Sequence, residues 1–374
     1  GWYILTQQFD AALVAAVSVL VVACPCALGL ATPAAVITGL GAAARHGILV
    51  RDANALEVAR CVNKIVFDKT GTLTYGTPEI VNIWSDNTAT DDVLSIAASL
   101  EVGSEHPIAK AFSRRAAERQ VQLSQISEVK AVPGKGIEGR IAEQWSVLGT
   151  WDYVGQSIGD TYSLPDQPPA FSGEVGTVAW LAVDRQLVAG FLLSDSLRAE
   201  SASAIKALKA EGFEVAVLSG DNTRTARSIA DELSIETVFA EQTPQDKLDQ
   251  LCAWQSDGAV VAMVGDGIND APALAGADLG IAMAGGTDVA MQSAGITLMR
   301  PDPRLIVKAL ELGNATVAKI RQNLFWAFCY NAICIPLAAF GFLTPALAGA
   351  AMALSSVSVV MNSLVLRRFG NAAR

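Results

Sequence analysis

Lys64-Ile65-Val66-Phe67-Asp68-Lys69-Thr70-Gly71-Thr72-Leu73-Thr74 is the stretch on which the fold turns. Three consecutive apolar residues, two of them β-branched, end abruptly in a carboxylate. Such a run reads as a short strand buried on both faces, as in a parallel sheet. After Asp68 comes a polar, glycine-containing loop whose backbone N–H groups and hydroxyls can face phosphate oxygens. A carboxylate at the carboxyl end of a parallel strand is placed where such sheets bind ligands, and it can attack a phosphoryl group to form an acyl phosphate.

Outward from this stretch the pattern repeats. Val215-Ala216-Val217-Leu218 runs into Ser219-Gly220-Asp221, and Val260 to Val264 runs into Gly265-Asp266-Gly267. Helical periodicity predicts helices over Ser201–Glu211, stopped by Gly212, over Asn222–Leu233, and from Pro244, with Leu248 and Leu251 on an apolar face. Alternating strands and helices predict a doubly wound parallel sheet with Asp68, Asp221 and Asp266 at its carboxyl edge. Mg²⁺, a hard cation, suits Asp68 and Asp266, and Lys247 can add a positive charge. Residues 79–188 break the alternation. They predict an inserted α+β domain with a helix over Asp91–Arg119 and strands near Ser127–Val132, Ile137–Ile141 and Val178–Val183.

The seven residues Asp68 to Thr74 resemble the phosphorylation motif of P-type ATPases. The companion strings stand in the same order: Ser219-Gly220-Asp221-Asn222, Thr243-Pro244-Gln245-Asp246-Lys247, and Val264-Gly265-Asp266-Gly267-Ile268-Asn269-Asp270. Ser219 departs from the family's usual Thr but keeps its hydroxyl. The resemblance implies a haloacid-dehalogenase-like phosphorylation domain in two parts (46–78 and 189–318) around a nucleotide-binding domain at 79–188. It implies Asp68, Lys69, Thr70, Asp221 and Lys247 as catalytic residues, with Asp68, Thr70, Asp266 and Asp270 around Mg²⁺. Phosphatase relatives carry a second acid two residues after the nucleophile. Here that residue is Thr70, which is no general base near neutral pH, so an acyl phosphate is expected to persist. Ser104-Glu105-His106-Pro107, with Glu101 before it and Gly134-Lys135-Gly136 after it, resembles the nucleotide-binding domain of heavy-metal-transporting P-type ATPases. By that resemblance Glu101, His106, Gly134 and Gly136 surround the adenosine of ATP. The family's Asn after a later Gly is replaced, since Thr150 follows Gly149. Ser172-Gly173-Glu174 mimics the family's dephosphorylation loop but lies inside the inserted region and reads as a surface turn.

Two runs lack any charged residue or histidine, Ala11 to Ala44 and Gln322 to Leu366. About 20 apolar residues span a bilayer, so the first predicts one span and the second two, split near Gly341–Pro345. The transmembrane parts are thus 1–45 and 319–374. Arg45, Arg51, Lys319, Arg321, Arg367 and Arg368 flank these runs, and the positive-inside rule puts them and the central domain in the cytoplasm. The expectation is a multi-pass protein of the cell (inner) membrane. Cys24-Pro25-Cys26 sits within the first run. Proline there removes a helical hydrogen bond, and broken helices in membranes line sites. Two thiolates at the break are soft ligands. Tyr330-Asn331, then Met352 with Ser355-Ser356, complete a set that resembles the Cu(I) exporters. Met352 and Ser356, one turn apart, share a side. Cu(I) is expected from Cys24, Cys26, Tyr330, Asn331, Met352 and Ser356, and Ag(I) with it; Zn(II) or Cd(II) would favour imidazole or carboxylate. Cys329 and Cys334 read as packing residues.

Over 374 residues the hydrophobic fraction is 51%, the charged fraction 17% and the net charge −10, which excludes a disordered chain and argues against a nucleic-acid binder. Mean hydropathy of +0.36 fits a chain partly in lipid. Two histidines exclude a His-rich zinc site, and six cysteines make no dense disulfide framework. Residue 1 is Gly and no basic stretch opens the chain, so it reads as a fragment, one expected not to turn over alone without the family's actuator domain. Membrane lipid, the metal ion and a cytosolic copper chaperone are the implied partners. The alternatives are a Zn(II)/Cd(II)-transporting P-type ATPase, a soluble-type phosphatase, which would need a second acid, and a non-catalytic membrane metal receptor, which leaves Asp68, Asp266 and Lys247 unexplained.

Overall fold

The computed structural model describes residues 7–86, 88–104, 106–132, 134–141, 143–159, 171, 175–266, 270–285 and 288–370. In chain order the elements are helices α1 (Phe9–Val22) and α2 (Cys26–Arg45), strand β1 (Ile48–Val50), α3 (Ala53–Ala59), β2 (Lys64–Asp68), β3 (Glu79–Ser85), α4 (Thr90–Leu100) and α5 (Pro107–Glu118). Next are β4 (Ile126–Val132), β5 (Gly136–Ile141), β6 (Gln144–Gly149), α6 (Trp151–Ile158), β7 (Thr177–Val183) and β8 (Gln186–Ser194). Then come α7 (Ser201–Ala210), β9 (Glu214–Leu218), α8 (Thr223–Glu232), β10 (Thr237–Phe239), α9 (Pro244–Ser256) and β11 (Val261–Gly265). The chain closes with α10 (Ala271–Gly276), β12 (Leu279–Ala282), α11 (Asp288–Ser293), β13 (Ile296–Leu298), α12 (Arg304–Ala339) and α13 (Pro345–Leu364).

Two compact units divide the chain. One comprises the residues up to Val66, Lys206–Glu214 and those from Pro244 onward. Its strand order is β1-β13-β12-β11-β2, with β11, β12 and β13 parallel and β1 an antiparallel edge. Val261 to Val264 and Ile281 are wholly buried, as expected for strands covered on both faces.

Four helices extend from this unit. The break foreseen at Pro25 is present: α1 ends at Val22, Pro25 caps α2, and Ala23 and Cys24 lie between. Ala27, Ala31, Ala35, Gly39 and Ala43 recur every fourth residue on α2 and are buried, so small side chains let neighbouring helices approach. A Cβ at Gly39 would stand 2.6 Å from Thr316 Oγ1 of α12. Asn323 of α12 is wholly buried; its Nδ2 donates to Ala31 O (3.0 Å) and Ser363 Oγ (2.8 Å), tying α2, α12 and α13 together. Arg45 donates to Arg367 O, so α2 and α13 end side by side.

Among the described residues two segments, not the expected three, are long and apolar enough to cross a membrane: Phe9–Arg45 and Pro345–Arg368. The expected middle span is the second half of α12, where Gln322, Asn323, Tyr330 and Asn331 dilute the apolar run. That 36-residue helix passes unbroken from Leu305 and Ile306, buried in the globular part, into the apolar stretch.

The other unit comprises Phe67–Ile205 and Val215–Thr243. It holds Phe67 and Asp68 at the end of β2, then β9 and β10 in parallel, and an antiparallel six-stranded sheet, β3-β8-β7-β6-β5-β4. Side chains alternate across this second sheet. Leu148, Leu181 and Phe191 pack with Val93, Leu94 and Phe112 of α4 and α5, whereas Val147, Trp180 and Leu192 pack with Val154 on the other face. The Phe112 and Phe191 rings meet edge to face at 4.8 Å, and burying each contributes about 1.5–3 kcal/mol. The single helix expected over Asp91–Arg119 is two. Gly103 takes φ +87°, and Pro107 opens α5 at a position where its missing N–H is harmless.

Candidate functional site

Asp68 is the last residue of β2 and is buried. Beyond it the chain turns: Thr70 is extended, and Gly71 sits at φ +72°, a left-handed conformation that favours glycine. The loop is tied from within and from the segment after β8. Thr74 Oγ1 accepts from the Gly71 N–H (3.2 Å) and donates to the Asp195 carboxylate (2.5 Å). Asp195 also accepts from the Gly76 and Thr77 N–H groups, at 3.1 and 3.3 Å. Arg198 Nη2 donates to Gly71 O (2.9 Å) and Ser201 Oγ to Leu73 O (2.7 Å). Sequence reasoning missed this brace. Its signal was Asp195-x-x-Arg198 directly after a buried strand, at the start of a helix.

Lys69, buried, forms an ion pair with Asp221, and Asp221 is held in the turn after β9 by its N–H to Ser219 Oγ (3.1 Å). Asn222 caps α8 through Thr225 N–H (2.9 Å). Of the expected catalytic residues, Asp68 ends β2, and Lys69, Thr70 and Asp221 lie on the loops after β2 and β9 of the same unit, with the Thr70 side chain exposed.

Lys247, Asp266 and Asp270 lie in the other unit. Lys247 on α9 and Asp270 before α10 are both buried and paired at 2.7 Å. Lys247 thus neutralises a carboxylate of the expected Mg²⁺ set. A Cβ at Gly265 would stand 2.9 Å from Asp270 Oδ2, so this glycine leaves the room in which that carboxylate lies. Asp266, half-buried, follows β11 directly. Gly267, Ile268 and Asn269 lie outside the described residues, as do Glu105 and Ser172-Gly173-Glu174.

A cavity of about 290 Å³ opens beside β5, β6 and β7, and Glu101, Ser104, His106, Gly134, Gly136 and Thr150 line it. All four residues expected around adenosine border this cavity. His106 caps α5, its Nδ1 accepting from Ile108 N–H (3.3 Å). Burial pushes the Glu101 carboxyl above its ordinary range, against the opposing hydrogen bond of Ser104 and the charge of His106. Gly136 and Gly149 face each other across β5 and β6, and a Cβ on Gly136 would meet Leu148 O at 2.2 Å. Thr150, in place of the family's Asn, stands in the lining.

In the helical part Cys24 and Cys26 are joined as a disulfide, correcting the expected pair of thiolates. The break in the helix brings their sulfurs to one point, and once reduced the two thiols are soft donors. Met352 is buried against Val22 and Ala348. Tyr330 and Asn331 are half-buried on α12, and on α13 Ser355 is more deeply buried than the expected Ser356.

A family model described as haloacid dehalogenase-like hydrolase matches residues 63–278. The probable copper-transporting ATPase PacS of Synechococcus elongatus is 44% identical over 377 aligned residues, covering 98% of this chain and 50% of the relative. The copper-exporting P-type ATPase of Legionella pneumophila is 43% identical over 98% of this chain and 51% of its own length. The chain thus spans about half the length of the curated relatives it matches. Among solved structures, a zinc-transporting PIB-type ATPase in the E2.Pi state superposes with a TM-score of 0.74 at 35% identity, over 93% of this chain and 57% of the other.

Proposed function

The chain belongs to the haloacid dehalogenase-like hydrolases, in their metal-transporting P-type ATPase branch, and from that premise we propose that it carries the phosphorylation and nucleotide machinery and part of the ion path of an ATP-driven Cu(I) exporter. The observation that carries this reading is Asp68, buried at the end of β2 and opening a loop that Asp195 and Arg198 hold in place. Asp68 Oδ attacks the γ-phosphorus of ATP, the bond to the leaving ADP oxygen breaks, and an aspartyl phosphate remains. Lys69 supplies positive charge at the loop, and Asp221 orients it. The cavity around Glu101 and His106 takes the adenosine. By the family resemblance Asp68, Thr70, Asp266 and Asp270 supply hard oxygen donors of the kind Mg²⁺ takes, and Lys247 offsets the charge of Asp270. When bound there, Mg²⁺ neutralises charge on the transferred phosphoryl group. Thr70 offers no base to activate water, so the phosphoenzyme outlives the transfer step and can drive a conformational change.

Cu(I), with Ag(I) accepted alongside it, is the favoured cargo. The reduced Cys24–Cys26 pair and Met352 are soft donors, and neither apolar run holds an Asp, Glu or His. The structural likeness to a zinc-transporting ATPase favours Zn(II) as a second reading, and a metal titration separates the two. Placement in a cell membrane with the globular part in the cytoplasm, and delivery of the metal by a cytosolic chaperone, belong to the same proposal.

The test is phosphorylation from γ-labelled ATP. The wild-type protein is expected to form an acid-stable, hydroxylamine-sensitive adduct, and Asp68→Asn to form none. Undiminished labelling in Asp68→Asn overturns the nucleophile, and stronger stimulation of the complete transporter by Zn(II) than by Cu(I) overturns the cargo.

A further inference from the structure

Hydroxyl groups inside the helical part follow one habit. Thr38, Thr316, Ser358 and Ser363 each donate to the carbonyl four residues back, at 2.7–2.9 Å. That is the usual way to satisfy a hydroxyl in a low-dielectric helix. Ser18 on α1 and Ser355 on α13 do otherwise. They are 0% and 1% exposed, and neither Oγ has a hydrogen-bond partner among the described residues. Asn331 Oδ1 on α12 is likewise buried without one. An unsatisfied buried polar atom costs about 1–3 kcal/mol, so three of them call for a ligand.

Helical spacing places all three around one group of side chains. Val22, Ala348 and Met352 form a buried cluster against which Cys334 and Ile335 pack. Ser18 lies one turn before Val22, Asn331 one turn before Cys334, and Ser355 one turn after Met352, each on the same face as its neighbour. The contacts set the heights. The Asn323 bonds put Ala31, Asn323 and Ser363 at one level, nearer the Arg45 end. The cluster puts Val22, Cys334 and Met352 at the next. Asn331 and Ser355 therefore fall between these levels, where the Cys24–Cys26 break lies. Cys334 and Met352 stand beyond the break, and Ser18 stands one turn further, towards the turn that joins α12 to α13. Two sulfur donors, a thiol and a thioether, thus lie next along the bundle from the broken helix, with a lone hydroxyl after them.

We infer that Cys334 and Ser18 are donors on the ion path: Cys334 Sγ and Met352 Sδ form a second soft-cation station beyond the Cys24–Cys26 break, and Ser18 Oγ receives the ion as it leaves. The inference rests on the proposed Cu(I) export and extends it to two residues of this chain. Cys334, which the sequence alone reads as packing, gains a chemical role because α12 packs it against the buried cluster that holds Met352. On binding Cu(I) the thiol gives its proton to water, and it takes one back when the ion moves on. A sulfur pair holds Cu(I) tightly; a hydroxyl binds it weakly, which suits release.

The test uses the complete transporter under reducing conditions, with Cu(I) set by a chromophoric chelator. Cys334 is probed with a maleimide in a Cys24→Ser/Cys26→Ser background, with and without Cu(I). Protection of Cys334 by Cu(I), at least tenfold in rate and lost in Met352→Leu, is expected. Cys334→Ala and Cys334→Ser, the latter keeping the volume but not the softness, are expected to lose one bound Cu(I) per molecule and several-fold in Cu(I)-stimulated turnover, with ATP KM unchanged. Ser18→Ala is expected to keep its copper but turn over several-fold more slowly, whereas Ser358→Ala, whose hydroxyl is already bonded to Leu354 O, behaves as wild type. Equal labelling of Cys334 with and without Cu(I), or wild-type copper content and turnover in both Cys334 variants, overturns the station. Wild-type turnover in Ser18→Ala overturns the role of that hydroxyl. Protection without any Cu(I)-stimulated hydrolysis in the wild type leaves the station standing and overturns the export reading instead.

Discussion

A methyl group at Gly136 has nowhere to go. Its Cβ would stand 2.2 Å from Leu148 O, 2.8 Å from Gly149 Cα and 2.9 Å from Tyr153 Cδ1, two of these being backbone atoms. Gly149 is no escape, since a Cβ there would meet Lys135 O at 2.3 Å. The Gly136–Gly149 pair therefore must separate by about 1 Å, straining core contacts at about 1–3 kcal/mol and weakening a ladder hydrogen bond worth about 1 kcal/mol. We expect Gly136→Ala to destabilise the six-stranded sheet by about 2–4 kcal/mol. Gly134, two residues earlier, is the control. It sits at φ +73° with nothing within 4 Å of a new Cβ, so Gly134→Ala carries only the left-handed backbone penalty of about 1–2 kcal/mol. The assay is urea unfolding followed by tryptophan fluorescence, because Trp84, Trp145, Trp151 and Trp180 pack in one group on this sheet. At an m-value of about 2 kcal/mol/M, a 3 kcal/mol loss lowers the midpoint by about 1.5 M. Both glycines border the cavity proposed for ATP, so ATP affinity is expected to fall with Gly136→Ala even where the sheet remains folded. A Gly136→Ala protein no less stable than Gly134→Ala would refute the reasoning, since it would mean that the strands can part at no cost.

Asp195→Ala removes three hydrogen bonds to the loop after Asp68, at 2.5, 3.1 and 3.3 Å, and misplacement on the order of 1 Å can cost about 100-fold in rate. Phosphorylation from ATP is expected to slow by at least ~10-fold with ATP affinity unchanged, read by rapid-quench labelling alongside equilibrium binding. Lys247→Met leaves the Asp270 carboxylate buried without its cation, at a cost of about 3–5 kcal/mol in a denaturant melt, and adding Asp270→Asn is expected to restore most of it. The Glu101 carboxyl, raised by burial above its ordinary 4.5, holds more protons folded than unfolded, so its stabilising share is complete below 4.5 and is lost as pH rises through the folded value. Glu101→Gln is accordingly expected to gain stability over wild type as pH rises from 4.5 to 8, and a constant difference across that range refutes the shift.

Local chemistry made much of this protein legible from its residues alone. A β-branched run ending in Asp68 has few ways to fold, because the alternation of strands and helices is encoded within a few residues of each element. Pro25 ends one helix and caps the next, since it cannot donate the backbone hydrogen bond, whereas Pro33 and Pro336 lie inside helices that continue past them. The one helix expected over Asp91–Arg119 failed for the same kind of reason: Gly103 and Pro107 were visible, but the periodicity on either side outweighed them. What joins distant segments was not legible. The Arg198 bond to Gly71 O spans 127 residues, and Thr74 reaches Asp195 across 121. No local propensity encodes those pairings; the meeting of the loops that follow β2 and β8 creates them. Cys334 is the sharpest case. In sequence it is one small residue in an apolar run, and only the crossing of α1, α12 and α13 packs it against the cluster of Val22, Ala348 and Met352. The sequence by itself determines which residues can be donors, nucleophiles or caps, because that is side-chain chemistry and short-range backbone geometry. The tertiary structure decides which of them meet, because that depends on the depth and register at which helices and sheets bury their apolar faces.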